Sequence, residues 1–374
     1  MKILLISNTV SSIILFRKKL IERLVNCKHH VYVLIPYNEK NNSKDLEALN
    51  ITIQYYKSSR TNINPFKEIF SIFSLYTKIK KIAPDTVFSF FPKPVIFGTL
   101  AAYFSGVRKR VAMLEGLGYC FTQRPEPDPI SKKILKLLQV FLYRISLPKA
   151  HTVLFLNRDD ANEIIKLHNI PLKSYEIIGG IGVNPNDYVY SEASSSEPII
   201  FTMVSRLLID KGIREFISAA KIVHRHHPSA IFKIIGGIDE NLGGISKSEF
   251  EKWKKENIVQ FTGVIKNIKD ELIKTSVFVL PSYREGVPKS TQEAMHIGRP
   301  IITTDVPGCR ETVINNINGF LIPPWDANVL AEKMLFFIDN KESIILMGKE
   351  SRKIAEKKFN EDIFCDKLVK ILTL

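Results

Sequence analysis

The sequence predicts an α/β protein built from two parallel-sheet domains, on three observations. Short β-branched runs alternate with amphipathic stretches along the whole chain, the rhythm of parallel βαβ units. That rhythm breaks once, after Asn184, in the polar, Ser-rich stretch NPNDYVYSEASSSEP. With 374 residues and 45% apolar composition, the chain holds enough for two cores of ordinary size.

The first series of runs is KILLIS, VYVLIP, ITIQYY, TVFSFF, RVAML and TVLFL. The second is IIFTMV, AIFKIIGG, NIVQFTG, VFVLPS and PIITTD. Residues 1–184 are therefore expected to form one domain, 185–197 a linker and 198–358 the second domain. From about Phe359 to Leu374 the apolar positions Ile363, Phe364, Leu368 and Ile371 predict a final amphipathic helix. No repeat of 20–50 residues is present.

Composition excludes several classes. No apolar run approaches the length of a membrane span, and MKILLIS is too short for a signal peptide, so a cytoplasmic protein is expected. Cys27, Cys120, Cys309 and Cys365 form no C-x-x-C pair, which argues against zinc, redox and disulfide roles and predicts buried thiols. The net charge of +15 is uneven: residues 1–190 hold 27 Lys/Arg against 14 Asp/Glu, and residues 191–374 hold 26 against 24. The first half therefore suits an anionic partner, a phospholipid surface or nucleic acid. No nucleic-acid motif accompanies the charge, and a membrane is the expected partner.

Two helical patterns carry that expectation. NPFKEIFSIFSLYTKIKK and ISKKILKLLQVFLYRISLPK each mix large apolar residues with lysines, as helices lying on an anionic bilayer do. A pair of core helices with solvated basic edges would read the same way.

In the second half, IIFTMV runs straight into SRLLIDKG, which places Arg206 and Lys211 beyond a strand's carboxyl end, where open parallel sheets bind ligands. A planar fork and a mobile ammonium together suit a diphosphate. The next strand ends in Gly236 and Gly237, which permit close backbone approach. After VFVLPS comes YREGVPKSTQEA, a turn and a helix starting near Pro288, with proline at its first position. The amides of Gly286, Val287, Lys289 and Ser290 would then present the positive end of the helix to phosphate oxygens. Glu285 and Glu293 bracket the helix start. Glutamates eight apart occur three times, at Glu39/Glu47, Glu285/Glu293 and Glu342/Glu350, so spacing alone selects nothing. Only the middle pair sits on a strand, turn and helix.

Arg206, Lys211, Gly212, Gly263, Glu285, Gly286, Glu293, Ala294, Gly298, Pro300, Gly308 and Gly319 together resemble glycosyltransferase family 4, retaining enzymes of the GT-B fold. The resemblance implies two Rossmann-like domains facing a central cleft, with the C-terminal helix returning to the first domain. It implies that Arg206 and Lys211 hold the donor diphosphate, that Glu293 binds the ribose, and that Glu285 with the amides after it positions the donor sugar. The backbone from Val264 and Ile265 to Asn267 is implied to hold the base. No metal cofactor is implied, the departing diphosphate itself helping to deprotonate the acceptor hydroxyl.

The loop SNTVSSIILFRKK lacks the glycine-rich turn of many relatives but carries Arg17, expected to contact an acceptor phosphate. Where many relatives have a His after the fifth strand, this chain has MLEGLG, so Glu115, beside Gly116, stands in the acceptor position. LFRKKL, SR-x-x-x-NPF (Ser59, Arg60, Asn64, Pro65, Phe66), EGLG, GG-x-DEN and PSY-x-EG are similar to bacterial enzymes adding α-linked N-acetylgalactosamine to polyprenyl-diphosphate-linked amino sugars. That narrower likeness implies a UDP-sugar donor, an undecaprenyl-diphosphate-linked acceptor and a peripheral place on the inner membrane, in O-antigen or related polysaccharide synthesis. A different donor (UDP-Gal, UDP-Glc or a GDP-sugar), a UDP-sugar epimerase and a non-catalytic basic binding protein are the alternatives. A dehydrogenase is excluded because no G-x-G-x-x-G follows the first strand.

Overall fold

The strands at the centre of both sheets are mostly apolar and buried along nearly their whole length, because parallel sheets are covered by helices on both faces. In the computed structural model, which describes residues 1–42, 44–57, 65–238 and 243–374 without the side chains of 41, 42, 45 and 65–69, the chain divides into two compact units. The first comprises Met1–Leu117, Ile130–Ile178 and Asp362–Leu374, and the second Gly118–Pro129 and Gly179–Glu361.

The first unit holds β1 (Lys2–Ile6), β2 (His30–Pro36), β3 (Thr52–Tyr56), β4 (Thr86–Phe90), β5 (Lys109–Leu114), β6 (Thr152–Phe155) and β7 (Tyr175–Ile177). They lie in the order β3-β2-β1-β4-β5-β6-β7, every pair parallel. Ile3, Leu4, Leu5 and Ile6 are all fully buried, as a central strand requires. Thr9 caps the helix Val10–Asn26, its side chain accepting from the Ser12 amide at 3.3 Å.

The C-terminal helix Glu361–Thr373 belongs, from Asp362 on, to this first unit. Lys19 bonds Asp362 at 2.8 Å, Arg23 pairs with Asp362 and Asp366, and Thr86 Oγ1 donates to the Leu372 carbonyl at 3.0 Å. The return of the last helix is thus fixed by charge at one end and a buried hydroxyl at the other.

The second unit holds β8 (Ile200–Val204), β9 (Ile231–Ile235), β10 (Val259–Gly263), β11 (Val277–Leu280), β12 (Ile301–Thr304) and β13 (Gly319–Ile322). Their order is β10-β9-β8-β11-β12-β13, again all parallel. The winding direction reverses between β8 and β11, where Val277 stands opposite Phe201 and Phe278 opposite Thr202. A ligand-sized crevice opens at the carboxyl ends of strands at such a reversal.

Several expectations need correction. Residues 185–197 are not a free linker: Ser191 N–H donates to Ile297 at 3.0 Å, Arg352 Nη1 donates to the Tyr188 carbonyl at 2.7 Å, and Ala193 is buried. The unit boundary falls between Ile178 and Gly179, and residues 118–129 cross into the second unit. Cys27 is exposed, whereas Cys120, Cys309 and Cys365 are buried. Ser59, Arg60 and Asn64 of the SR-x-x-x-NPF stretch, the Pro65 and Phe66 side chains, and Asp239, Glu240 and Asn241 of GG-x-DEN lie outside the described residues.

Candidate active site

The second unit brings its predicted residues to one edge of the sheet. Beyond β8 the chain continues as Ser205 and Arg206, held alongside the end of β9 by Ser205 N–H to Ile235 at 3.0 Å and Leu207 N–H to Gly237 at 3.0 Å. A Cβ at Gly236 would lie 1.8 Å from the Ser205 carbonyl oxygen, so only glycine lets the two segments touch. Arg206 itself is exposed. Val264, after β10, is 82% exposed and Ile265 half-buried beside it, in the region expected to hold the base.

Lys211 ends the short 3-10 turn Ile209–Lys211, and Gly212 follows with φ of 74°, starting the helix Ile213–His226. A Cβ there would meet the Pro281 carbonyl oxygen at 2.0 Å, so this glycine brings the turn against the end of β11. Tyr283 N–H donates to the Asp210 carbonyl at 2.8 Å across the same join. Here the β8 and β11 loops meet: Lys211 Nζ lies 2.5 Å from Glu285 Oε1, which also accepts from Ser282 Oγ at 2.9 Å. The ammonium has two protons beyond the one on Glu285. Glu285 N–H donates to Pro307 at 3.0 Å, and Gly308 packs beneath, its Cβ position only 2.2 Å from the Glu285 carbonyl oxygen.

The helix after this loop runs Lys289–Ile297, with Pro288 as its cap residue rather than its first helical position. Pro288 offers no side-chain cap, which leaves the positive first turn to other acceptors. Gly286, Lys289 and Ser290 are half-buried and Val287 and Pro288 buried. Glu293, one turn further, is only 9% exposed and bonds the Tyr188 hydroxyl. Burial raises its carboxyl above the ordinary range, while Lys289 and then the Tyr188 hydroxyl pull it back. Burial first, and Glu293 second, push the Tyr188 phenol well above its usual value. Tyr188 is a residue that sequence reasoning missed, since it lies 105 positions away in the presumed linker.

In the first unit Arg17 and Glu115 meet, but not as expected. The Arg17 side chain is fully buried, its guanidinium paired with Glu115, donating to the Phe16 carbonyl at 2.7 Å and lying 4.7 Å from the Phe90 ring centroid. Such a guanidinium does not face an acceptor phosphate. Burial raises the Glu115 carboxyl and the Arg17 charge lowers it. Gly116 follows with φ of 121°. Among the described residues, no three His, Cys, Asp or Glu side chains converge as a metal site.

The two parallel sheets and the β8/β11 reversal define a doubly wound, Rossmann-like class of protein, and the comparisons agree on the fold. The profile described as Glycosyl transferases group 1 matches residues 188–358, and that described as Glycosyl transferase 4-like matches residues 2–157. The chain belongs to this family of glycosyltransferases, of GT-B fold. It is 28% identical to the N,N'-diacetylbacillosaminyl-diphospho-undecaprenol alpha-1,3-N-acetylgalactosaminyltransferase of Campylobacter jejuni, over 99% of this chain and 98% of that one. It is 27% identical to the UDP-Gal:alpha-D-GlcNAc-diphosphoundecaprenol alpha-1,3-galactosyltransferase of Escherichia coli, over 82% of each. Among solved structures, Anabaena HepE in complex with UDP superposes with a TM-score of 0.78 at 17% identity, covering all of both chains.

Proposed function

We propose that this glycosyltransferase moves an α-linked sugar, N-acetylgalactosamine or another N-acetylhexosamine, from a UDP-sugar to an undecaprenyl-diphosphate-linked saccharide in surface polysaccharide synthesis. The observation that carries the donor reading is the meeting of Lys211 with Glu285 at the β8/β11 reversal, beside Arg206 and an uncapped helix start. Lys211, Arg206 and the first-turn amides supply positive charge for a diphosphate without a metal. Glu293 takes the ribose hydroxyls, and Glu285 with the backbone after it takes the sugar. The C1–O bond to the diphosphate breaks as the acceptor oxygen bonds C1 on the same face. The acceptor proton passes to a diphosphate oxygen, so configuration is retained and no protein base is needed.

The acceptor half of the reading rests on the relatives' printed substrates and on one surface of the first unit. No helix among the described residues is long and apolar enough to cross a membrane. Yet the helix Ile130–Ser146 exposes Ile130, Ile134, Leu137, Phe141 and Ile145 on a single stripe, while Tyr143 and even Lys132 are buried. The helix Pro65–Ile82 likewise exposes Phe70 and Phe73. Exposed apolar stripes beside Lys80, Lys81, Lys133 and Arg144 suit insertion into an anionic bilayer surface better than a solvated core helix. Incubation with a panel of UDP-sugars and synthetic polyprenyl-diphosphate GlcNAc or GalNAc tests the whole reading. An α-linked disaccharide product is expected, and an epimerised UDP-sugar made without acceptor would replace the reading.

A further inference from the structure

Lys211 is preceded by Asp210, a carboxylate next to the place proposed for a diphosphate, and an unneutralised charge there opposes the anion. The structure shows what neutralises it. Residues 118–129, which follow directly on Glu115, Gly116 and Leu117 of the first unit, belong to the second unit, and Arg124 in this segment grips Asp210. Its Nε lies 2.7 Å and its Nη2 2.6 Å from Asp210 Oδ1, with both side chains mostly buried. The guanidinium is flanked on one side by the Tyr119 ring, 5.0 Å away, and on another by Gly243, where a Cβ would stand 2.9 Å from Nη2. Gly243 in turn accepts the Ile209 N–H at 2.9 Å, so the three groups enclose the start of the Lys211 turn. A separate tie reaches the partner loop, where Arg284 Nη1 donates to the Phe121 carbonyl at 3.2 Å, next to Glu285.

We propose that Arg124 is a positioning residue of the donor site, cancelling the charge of Asp210 beside Lys211, so that a loop leaving the Glu115 strand completes the diphosphate site. The inference rests on the donor reading above. It differs from an ordinary surface ion pair, which contributes little, because the pair is mostly buried and sits one residue from Lys211.

Calorimetric titration of the full chain with UDP and with GDP tests it, alongside thermal unfolding of each variant. Arg124→Met is expected to weaken binding of the preferred nucleotide ~tenfold, and adding Asp210→Asn to that variant to restore it to within ~threefold of wild type. Asp210→Asn alone is expected to bind at least as tightly as wild type, which decides the matter should Arg124→Met fail to fold. Wild-type affinity in Arg124→Met, a double variant as weak as the single, or clear weakening in Asp210→Asn overturns the proposal. If Lys211→Ala is weak while Arg124→Met is not, this inference alone fails. If wild type binds neither nucleotide, the donor reading fails with it.

Discussion

Each unit carries one basic residue paired with a glutamate that follows a strand, and the two pairs differ in what surrounds them. Arg17 and Glu115 are 0% and 8% exposed, with the Phe88, Phe90 and Phe364 rings within 5.8 Å of the guanidinium. Lys211 and Glu285 are 19% and 13% exposed, at the strand-order reversal of the second sheet. The first pair is closed on itself, holding the Val10–Asn26 helix and the C-terminal helix to the sheet. The second keeps donors available. A buried pair is costly to break and contributes little as a whole, whereas an open pair beside a helix start can exchange its partner for a phosphate.

The largest expected effect breaks the closed pair. Glu115→Gln leaves the Arg17 charge buried without its counter-charge and should cost about 3–5 kcal/mol of stability, read by denaturant unfolding. Replacing both residues together, Arg17→Met with Glu115→Leu, should recover most of that loss. A single variant as stable as wild type would show that the pair is solvated. Removing a cation of the open site should do the opposite: Lys211→Ala, which breaks the pair, or Arg206→Ala beside it should keep the thermal midpoint while each loses a charge-assisted contact of about 1.5–3 kcal/mol, hence roughly ten- to hundredfold in turnover.

Smaller effects sharpen the contrast. Leu137→Glu with Phe141→Glu on the exposed stripe should lower sedimentation with anionic vesicles roughly tenfold without moving the unfolding midpoint. Wild-type binding should itself weaken as salt shortens the screening length from about 30 Å at 0.01 M to about 8 Å at 0.15 M. Salt-independent binding by both proteins would remove the membrane reading. The smallest effect concerns Glu293, whose carboxyl burial holds above the ordinary range. A raised folded value means that stability present below the unfolded value, about 4.3, is lost as pH rises through the folded one. Glu293→Gln should therefore be more stable than wild type near pH 8, the difference vanishing below pH 4, while its nucleotide affinity falls. Equal midpoints at both pH values would show that the carboxylate is solvated.

Much of this arrangement was legible in the residues. All eleven β-branched runs are strands, and Arg206, Lys211, Gly236, Gly237 and Glu285 gather along adjacent strand ends as the βαβ rhythm implies. β7 and β13 went unread for physical reasons. β7 is three residues at a sheet edge with Tyr175 and Ile177 exposed, and β13 opens on Gly319, which must approach the Ile301 carbonyl. What no local pattern carries is a long-range contact between polar side chains. The Tyr188 bond to Glu293, the Arg124 grip on Asp210 and the burial of Arg17 against Glu115 each depend on where the folded chain returns. Arg17 looked available for a phosphate because it lies near the start of the helix that follows the first strand. Only the folded packing shows that it points inward.

The difference between the closed and the open pair is tested most directly by UDP titration of two variants, Lys211→Ala and the doubly replaced Arg17→Met with Glu115→Leu. The account predicts that Lys211→Ala binds at least about tenfold more weakly than wild type and that the double variant binds as wild type does. Wild-type affinity in Lys211→Ala, or a loss confined to the double variant, would contradict it.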